Sequence, residues 1–191
     1  MLKLLSVQQN EIQTEDHYII NNELDDLLNK ELVELFLKAN DCIDDENFLE
    51  AVEFYDLILK IDPKNLSALI DKGVTLQILG RIKLSIRSFN KALELSPKNI
   101  DALINKGSAL HLSEQYFDAI ACYDEALTID PKYSMALAYK GLSLGELGNL
   151  TESISCFKKA LSIDEHCTLA QISKDTAQEL LKSVNLNSKK L

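Results

Sequence analysis

Residues 66–99 read LSALIDKGVTLQILGRIKLSIRSFNKALELSPKN, and residues 100–133 repeat the pattern as IDALINKGSALHLSEQYFDAIACYDEALTIDPKY. The three prolines of the chain, Pro63, Pro97 and Pro131, are 34 residues apart. Because other residue classes follow the same spacing, the pattern is an internal repeat and decides the fold. The columns at this period are Gly73, Gly107 and Gly141; Leu35, Leu69, Leu103 and Leu137; and Tyr55, Phe89, Tyr123 and Phe157.

Each copy contains two helical patterns joined by a short break. In residues 66–99, apolar side chains recur at helical spacing from Leu66 to Leu79 and again from Ile82 to Leu95, on either side of Gly80-Arg81. The residue before a proline is pushed away from the α region, so the second helix should end at Ser96. Asn99 has the side chain of a helix N-cap. The unit is therefore predicted to be helix, tight turn, helix, tight turn.

Small residues at fixed positions predict how the helices pack. A glycine within a helix costs about 1 kcal/mol relative to alanine, which is tolerable where a neighbouring group must approach closely. The facing column is also small, and the aromatic column can fill the remaining space. No unit can bury its apolar face alone, so the units must stack. The facing column is Ala51, Ser85, Ala119 and Ser153.

The pattern resembles the tetratricopeptide repeat family. The matching residues include Ala68-Leu69, Lys72-Gly73, Phe89, Ala92-Leu93 and Pro97, and the resemblance extends over about residues 32–165. It implies an all-α fold, a right-handed superhelical solenoid of antiparallel helix pairs. It also implies binding of peptides or protein segments in a concave groove.

The domain prediction follows the repeat. Residues 1–21 are a poorly defined N-terminal segment, and residues 22–165 hold four repeats, at about 32–65, 66–99, 100–133 and 134–167. Residues 168–185 are predicted to be a capping helix, with Leu169, Ile172, Thr176, Leu180, Leu181 and Val184 on its apolar face, and residues 186–191 are a tail. Glu165 replaces the expected proline of the fourth repeat, so its last helix is expected to run on or turn differently.

The resemblance also implies which residues line the groove, namely those on one face of the first helix of each unit. An apolar floor and polar side chains along it are expected, and an ordinary core position is the alternative for each apolar member. His111 is either a pH-sensitive contact or a plain polar surface residue. The implied groove residues are Asn40, Ile70, Asp71, Val74, Gln77, Asp101, Ile104, Asn105, Ser108, His111, Ala138, Tyr139 and Leu142.

Composition and charge exclude several classes of function. The net charge is −10, which disfavours nucleic acid or an anionic membrane as partner. We find no phosphate-binding, nucleophile-elbow or zinc-protease motif, so we predict a non-enzyme without a cofactor. A metal site of Cys156, His166 and Cys167 is set aside because the spacing is poor. With no apolar run of membrane-spanning length and no signal-peptide pattern, the protein is expected in the cytoplasm.

The predicted function is a scaffold that binds a protein or peptide segment in the concave groove. Because the groove holds Asp71 and Asp101 above an apolar floor, the ligand is expected to be apolar with a basic residue. Two alternatives stay open: a homo-oligomerising structural module, and a regulatory subunit that acts on an enzyme in trans. The first 60 residues hold 15 acidic side chains against 4 lysines, and they are either a solvated acidic face or a docking edge.

Overall fold

The computed structural model describes residues 27–188, with side chains as far as Ser183. The helices that were predicted make up this part of the chain, and it forms two compact units that divide between Asn65 and Leu66. The predicted segment 1–21 and residues 189–191 lie outside the described residues. The helices are α1 (27–44), α2 (Phe48–Ile61), α3 (Leu66–Ile78), α4 (Ile82–Leu95), α5 (Ile100–Leu112), α6 (Tyr116–Ile129), α7 (Ser134–Glu146), α8 (Leu150–Ile163) and α9 (Thr168–Ser188).

The first unit is a pair of helices around a small core. The ring of Phe36 in α1 meets the ring of Tyr55 in α2 edge-to-face, with centroids 6.3 Å apart. Ala39, Ala51 and Ile58 are fully buried. Ala39 takes the place of the glycine found in the later repeats.

The turn inside each helix pair has the same geometry in all four repeats. The second of its three residues lies in the left-handed region, with φ between 59° and 77°. Two backbone N–H groups beyond the end of the first helix donate hydrogen bonds to carbonyls of its last turn. For example, the N–H of Arg81 donates to the carbonyl of Leu76 at 2.8 Å. The left-handed residues are Glu46, Gly80, Glu114 and Gly148, again 34 residues apart.

An aspartate side chain holds two of the turns that follow the helix pairs of the second unit, whereas Ser96 occupies that position between α4 and α5. Asp130 Oδ1 accepts a hydrogen bond from the N–H of Lys132 at 2.9 Å. Asp164 Oδ1 accepts one from the N–H of His166 at 3.0 Å, although Glu165 stands where proline was expected. The expectation that α8 would run on or turn differently was therefore wrong, because the carboxylate holds the turn without the proline.

The glycine column lets an aromatic ring lie against a helix backbone. A Cβ built on Gly107 would lie 2.4 Å from Cε1 of Tyr123, and one on Gly73 would lie 2.5 Å from Cε1 of Phe89. Gly141 has the same relation to Phe157, at 2.6 Å. These rings are almost completely buried. The predicted close approach is confirmed in all three repeats of the second unit.

Helix α9 packs on α7 and α8 with a different face from the one predicted. Ala170 and Ala177 are buried, and Leu169 and Leu181 are partly buried against the same core cluster. The prediction was wrong for Ile172, Thr176 and Leu180, which are exposed. Small side chains face α8 because the helices approach closely, so the bulky ones remain on the open side. The side chain of Val184 lies outside the described residues.

Candidate functional site

The odd-numbered helices of the second unit form one continuous surface. Helix α3 contacts α5, α5 contacts α7 and α7 contacts α9, whereas within the described residues α4, α6 and α8 do not contact one another. The stack is therefore tighter on the side of the odd-numbered helices, and that side is its inner curve. We call this surface the inner face. It consists of those side chains within residues 67–78, 101–112, 135–146 and 172–180 that point away from the even-numbered helices.

The predicted groove residues of this unit lie on α3, α5 and α7, with differing exposure. Asp101 is exposed, while Ile104 and Ala138 are 6% and 0% exposed and serve as core. Asn40 is exposed on α1 of the first unit. The half-buried members are Ile70, Asp71, Val74, Gln77, Asn105, Ser108, His111, Tyr139 and Leu142.

Two of the predicted polar residues link neighbouring helices. Gln77 Nε2 donates a hydrogen bond to Ser108 Oγ at 3.0 Å, from α3 to α5. One repeat later, His111 Nδ1 and Ser143 Oγ share a hydrogen bond of 2.9 Å between α5 and α7. The ring of Tyr116 also meets that of His111 edge-to-face, with centroids 5.3 Å apart. These side chains brace the inner face as well as line it.

An aromatic cluster with an acidic neighbour joins α6 to α7. The ring of Tyr139 stacks on the ring of Tyr123, with centroids 5.9 Å apart and planes 22° apart. Burial raises the pKa of Tyr123, and so does the neighbouring Tyr139. Burial also raises the pKa of Tyr133, and the charge of Asp101 adds to that rise. The hydroxyls of Tyr123 and Tyr133 therefore stay protonated at neutral pH.

Asp71 is a half-buried carboxylate on α3. Loss of contact with water raises its pKa, and no neighbouring charge contributes to the shift. The hydroxyl of Thr75 donates to the backbone carbonyl of Asp71 and not to its side chain. A carboxylate in this position is stabilised when a cation approaches it.

The inner face also carries exposed apolar side chains that the sequence did not assign to the groove. Ile78 and Leu112 are 55% and 56% exposed, in the last turns of α3 and α5. Ile172 and Leu180 on α9 are 68% and 51% exposed. The available signal was the helical spacing of four residues, which puts Ile78 on the face of Val74 and Leu112 on the face of Ser108.

On α3, α5 and α7 the charged side chains of the inner face are all negative. They are Asp71, Asp101 and Glu146. The lysines of these helices lie toward the even-numbered ones, as where Lys140 pairs with Asp124 of α6. Within the described residues, no group of three or more His, Cys, Asp or Glu side chains could hold a metal ion. No helix in the same part of the chain is long and apolar enough to cross a membrane.

The structure is similar to several solved structures. A crystal structure of MamA is 26% identical over 74% of this chain and 82% of that one, with a TM-score of 0.68. Another, of MamA protein, is 24% identical over 78% and 81%, with a TM-score of 0.69. A tetratricopeptide repeat protein from Parabacteroides merdae is 23% identical over 81% and 61%, with a TM-score of 0.70.

A search of curated proteins finds no match to this chain. Sequence models described as tetratricopeptide repeat match residues 66–99, 100–133 and 136–167, together slightly more than half of the chain. The helix pairs, the glycine–aromatic contacts and the 34-residue period all agree with that match. The chain belongs to the tetratricopeptide repeat family, whose fold is generally a non-catalytic module for protein–protein interaction.

Proposed function

We propose that the second unit binds a segment of another protein along its inner face. The observation that carries this proposal is the exposure of Ile78, Leu112, Ile172 and Leu180 on that face. Exposed large apolar side chains also occur on the even-numbered helices, at Leu84, Leu95, Phe117 and Ile163. Those of the inner face adjoin the half-buried groove residues, and such a grouping is typical of a surface that is covered by a partner.

The partner segment is apolar and carries at least one lysine or arginine. The acidic Asp71, Asp101 and Glu146 favour a cation over an anion on this face. Asp71 supports the same conclusion, because its carboxylate has lost water without gaining a positive neighbour. An acidic or phosphorylated segment would be repelled, and the face offers no arginine to hold a phosphate.

We place the protein in the cytoplasm as part of this proposal. The four cysteines are free thiols, two of them buried, as expected in a reducing compartment. A segment that buries a few side chains and loses its freedom on binding should have micromolar affinity, about −7 to −9 kcal/mol.

The test uses random dodecapeptides displayed on phage and selected against the full chain. We expect the selected peptides to combine apolar residues with lysine or arginine and to bind with micromolar Kd by fluorescence anisotropy. The double variant Asp71→Lys and Asp101→Lys should weaken binding at least tenfold at low salt, and the loss should shrink at high salt.

The control makes the same charge change on the outer side. Asp118 and Glu125 are exposed on α6, so Asp118→Lys with Glu125→Lys alters the net charge equally without touching the inner face. Equal losses of affinity in the two double variants would mean that the acidic protein attracts positively charged peptides in general, without a specific site. Unchanged binding in the inner-face variant would rule out this site. Light scattering on the same samples checks for self-association.

A further inference from the structure

A cavity of about 300 Å³ opens on the inner face between α7, α8 and α9. Its walls include Leu142, Leu150 and Phe157, and the exposed side chains of Ile172 and Leu180 stand at its rim. Glu146 also lines it. This volume is at the lower end of the range for sites that hold small organic groups.

The cavity exists because a bracing side chain is missing. Gly145 occupies the repeat position of Gln77 and His111, each of which reaches the next odd-numbered helix through a hydrogen bond. At Gly145 no side chain extends toward α9. The gap between α7 and α9 therefore stays open where the two preceding gaps are bridged.

Packing does not explain why this residue is a glycine. A Cβ built on Gly145 would meet only Ser153 Oγ, at 3.5 Å, which is an ordinary contact. Its φ is not in the left-handed region either, since the positive-φ glycines of the described chain are Gly80 and Gly148. Because Gly145 has no side chain, the cavity remains open.

Two of the three hydroxyls that line the cavity already donate within the protein. The hydroxyl of Ser153 donates to the carbonyl of Gly141 at 2.7 Å, and that of Thr176 donates to the carbonyl of Ile172 at 3.0 Å. Both protons are committed, so the lone pairs of these oxygens are what remains for a ligand. An apolar cavity with acceptors suits an aromatic side chain that carries a donor.

We infer that this cavity receives one tryptophan or tyrosine side chain of the bound segment, whose N–H or O–H meets the hydroxyl oxygens. The inference rests on the proposed function, since it names the side chain that anchors the segment. Glu146 at the edge of the cavity favours a lysine or arginine next to that aromatic residue in the ligand.

The first test uses N-acetyl-L-tryptophanamide as a probe and the methyl NMR signals of the full chain. We expect the signals of Leu142, Ile172 and Leu180 to shift with millimolar affinity, and N-acetyl-L-alaninamide to cause no shift. Gly145→Gln should abolish the shifts, because the new side chain fills the cavity and can donate to Thr176 as Gln77 does to Ser108. Leu84→Ala, an exposed side chain of α4 away from the inner face, should leave the affinity within twofold.

No shift of these methyl groups, or shifts that persist in Gly145→Gln, would overturn the inference. A second arm uses the selected dodecapeptides. Gly145→Gln should weaken those with an aromatic residue at least tenfold and leave their alanine-substituted forms unchanged. If Asp71→Lys with Asp101→Lys weakens the peptides but Gly145→Gln does not, the cavity assignment fails and the proposed function stands. If neither variant weakens them, both fail.

Discussion

Helix α7 carries two glycines one turn apart that have opposite surroundings. At Gly141 the ring of Phe157 fills the space of the missing side chain, so that a built Cβ would lie 2.6 Å from Cε1. At Gly145 the same construction meets only the hydroxyl of Ser153 at 3.5 Å, and a cavity lies beside it. The same residue type thus allows a close contact between α7 and α8 at one position and leaves a cavity beside α7 at the other.

The difference teaches that a glycine in a repeat has two separate uses. At Gly73, Gly107 and Gly141 it lets an aromatic ring reach the backbone, and this stabilises the stack. At Gly145 it removes a bridge between two helices, and this opens the inner face. The predictions below test that distinction.

The largest effect is expected for leucine at a ring-filled glycine. Gly107→Leu should lower the free energy of unfolding by about 3 kcal/mol or more, because the buried ring of Tyr123 is itself stacked on Tyr139 and cannot move aside. Urea denaturation followed by circular dichroism measures the change. Gly145→Leu is the matched control and should remain close to the wild type. Similar losses of stability in both variants would contradict the distinction between glycines that face an aromatic ring and Gly145, which faces a cavity.

Substitution by alanine should change the stability of the protein in opposite directions at the two glycines of α7. Gly141→Ala should cost about 1–3 kcal/mol through overpacking against Phe157. Gly145→Ala should gain up to about 1 kcal/mol, since alanine favours the helix and meets no obstacle. Melting temperatures of the two variants show the sign directly. A loss at Gly145 would mean that the backbone there needs glycine for a reason other than the cavity.

Ser153 lies between the two glycines, and its hydroxyl donates to the carbonyl of Gly141. Ser153→Ala should cost about 1 kcal/mol through loss of that hydrogen bond. Ser85 occupies the same repeat position, yet its buried hydroxyl has no hydrogen-bond partner within the described residues. Ser85→Ala should therefore cost nothing, as Ala119 at this position suggests. Equal costs would show that packing and not the hydrogen bond sets the effect.

The smallest effect concerns the charge on the inner face. Burial raises the pKa of Asp71 in the folded protein, so folding favours its protonated form and stability falls as pH rises from just below 4 through the folded-state pKa. Asp71→Asn, the residue found at Asn105 one repeat later, removes this penalty. The variant should be slightly more stable at pH 7 and equal to the wild type near pH 3. The opposite order at pH 7 would indicate a cation beside Asp71.

The sequence predicted the repeat and the helix pairs, and its assignment of the groove residues as a binding surface stays a prediction. Proline and glycine spacing placed the turns, and Asn99 caps α5 as expected, with its side chain accepting from the N–H of Ala102 at 2.8 Å. It did not predict which face of α9 packs, because the close approach of α8 selects alanines over the larger Ile172 and Leu180. Nor did it separate Ile104, which is core, from Leu112, which is exposed.

The sequence by itself determined the number and order of the helix pairs, because a 34-residue period with fixed small and aromatic positions permits one way of stacking. The repeat sets Gly141, a member of the glycine column, apart from Gly145, which replaces Gln77 and His111. Only the tertiary structure decided what lies beside Gly145, because its role depends on whether a side chain from another helix occupies the neighbouring space. That occupancy is set by the relative placement of α7, α8 and α9, a long-range property that no local pattern encodes.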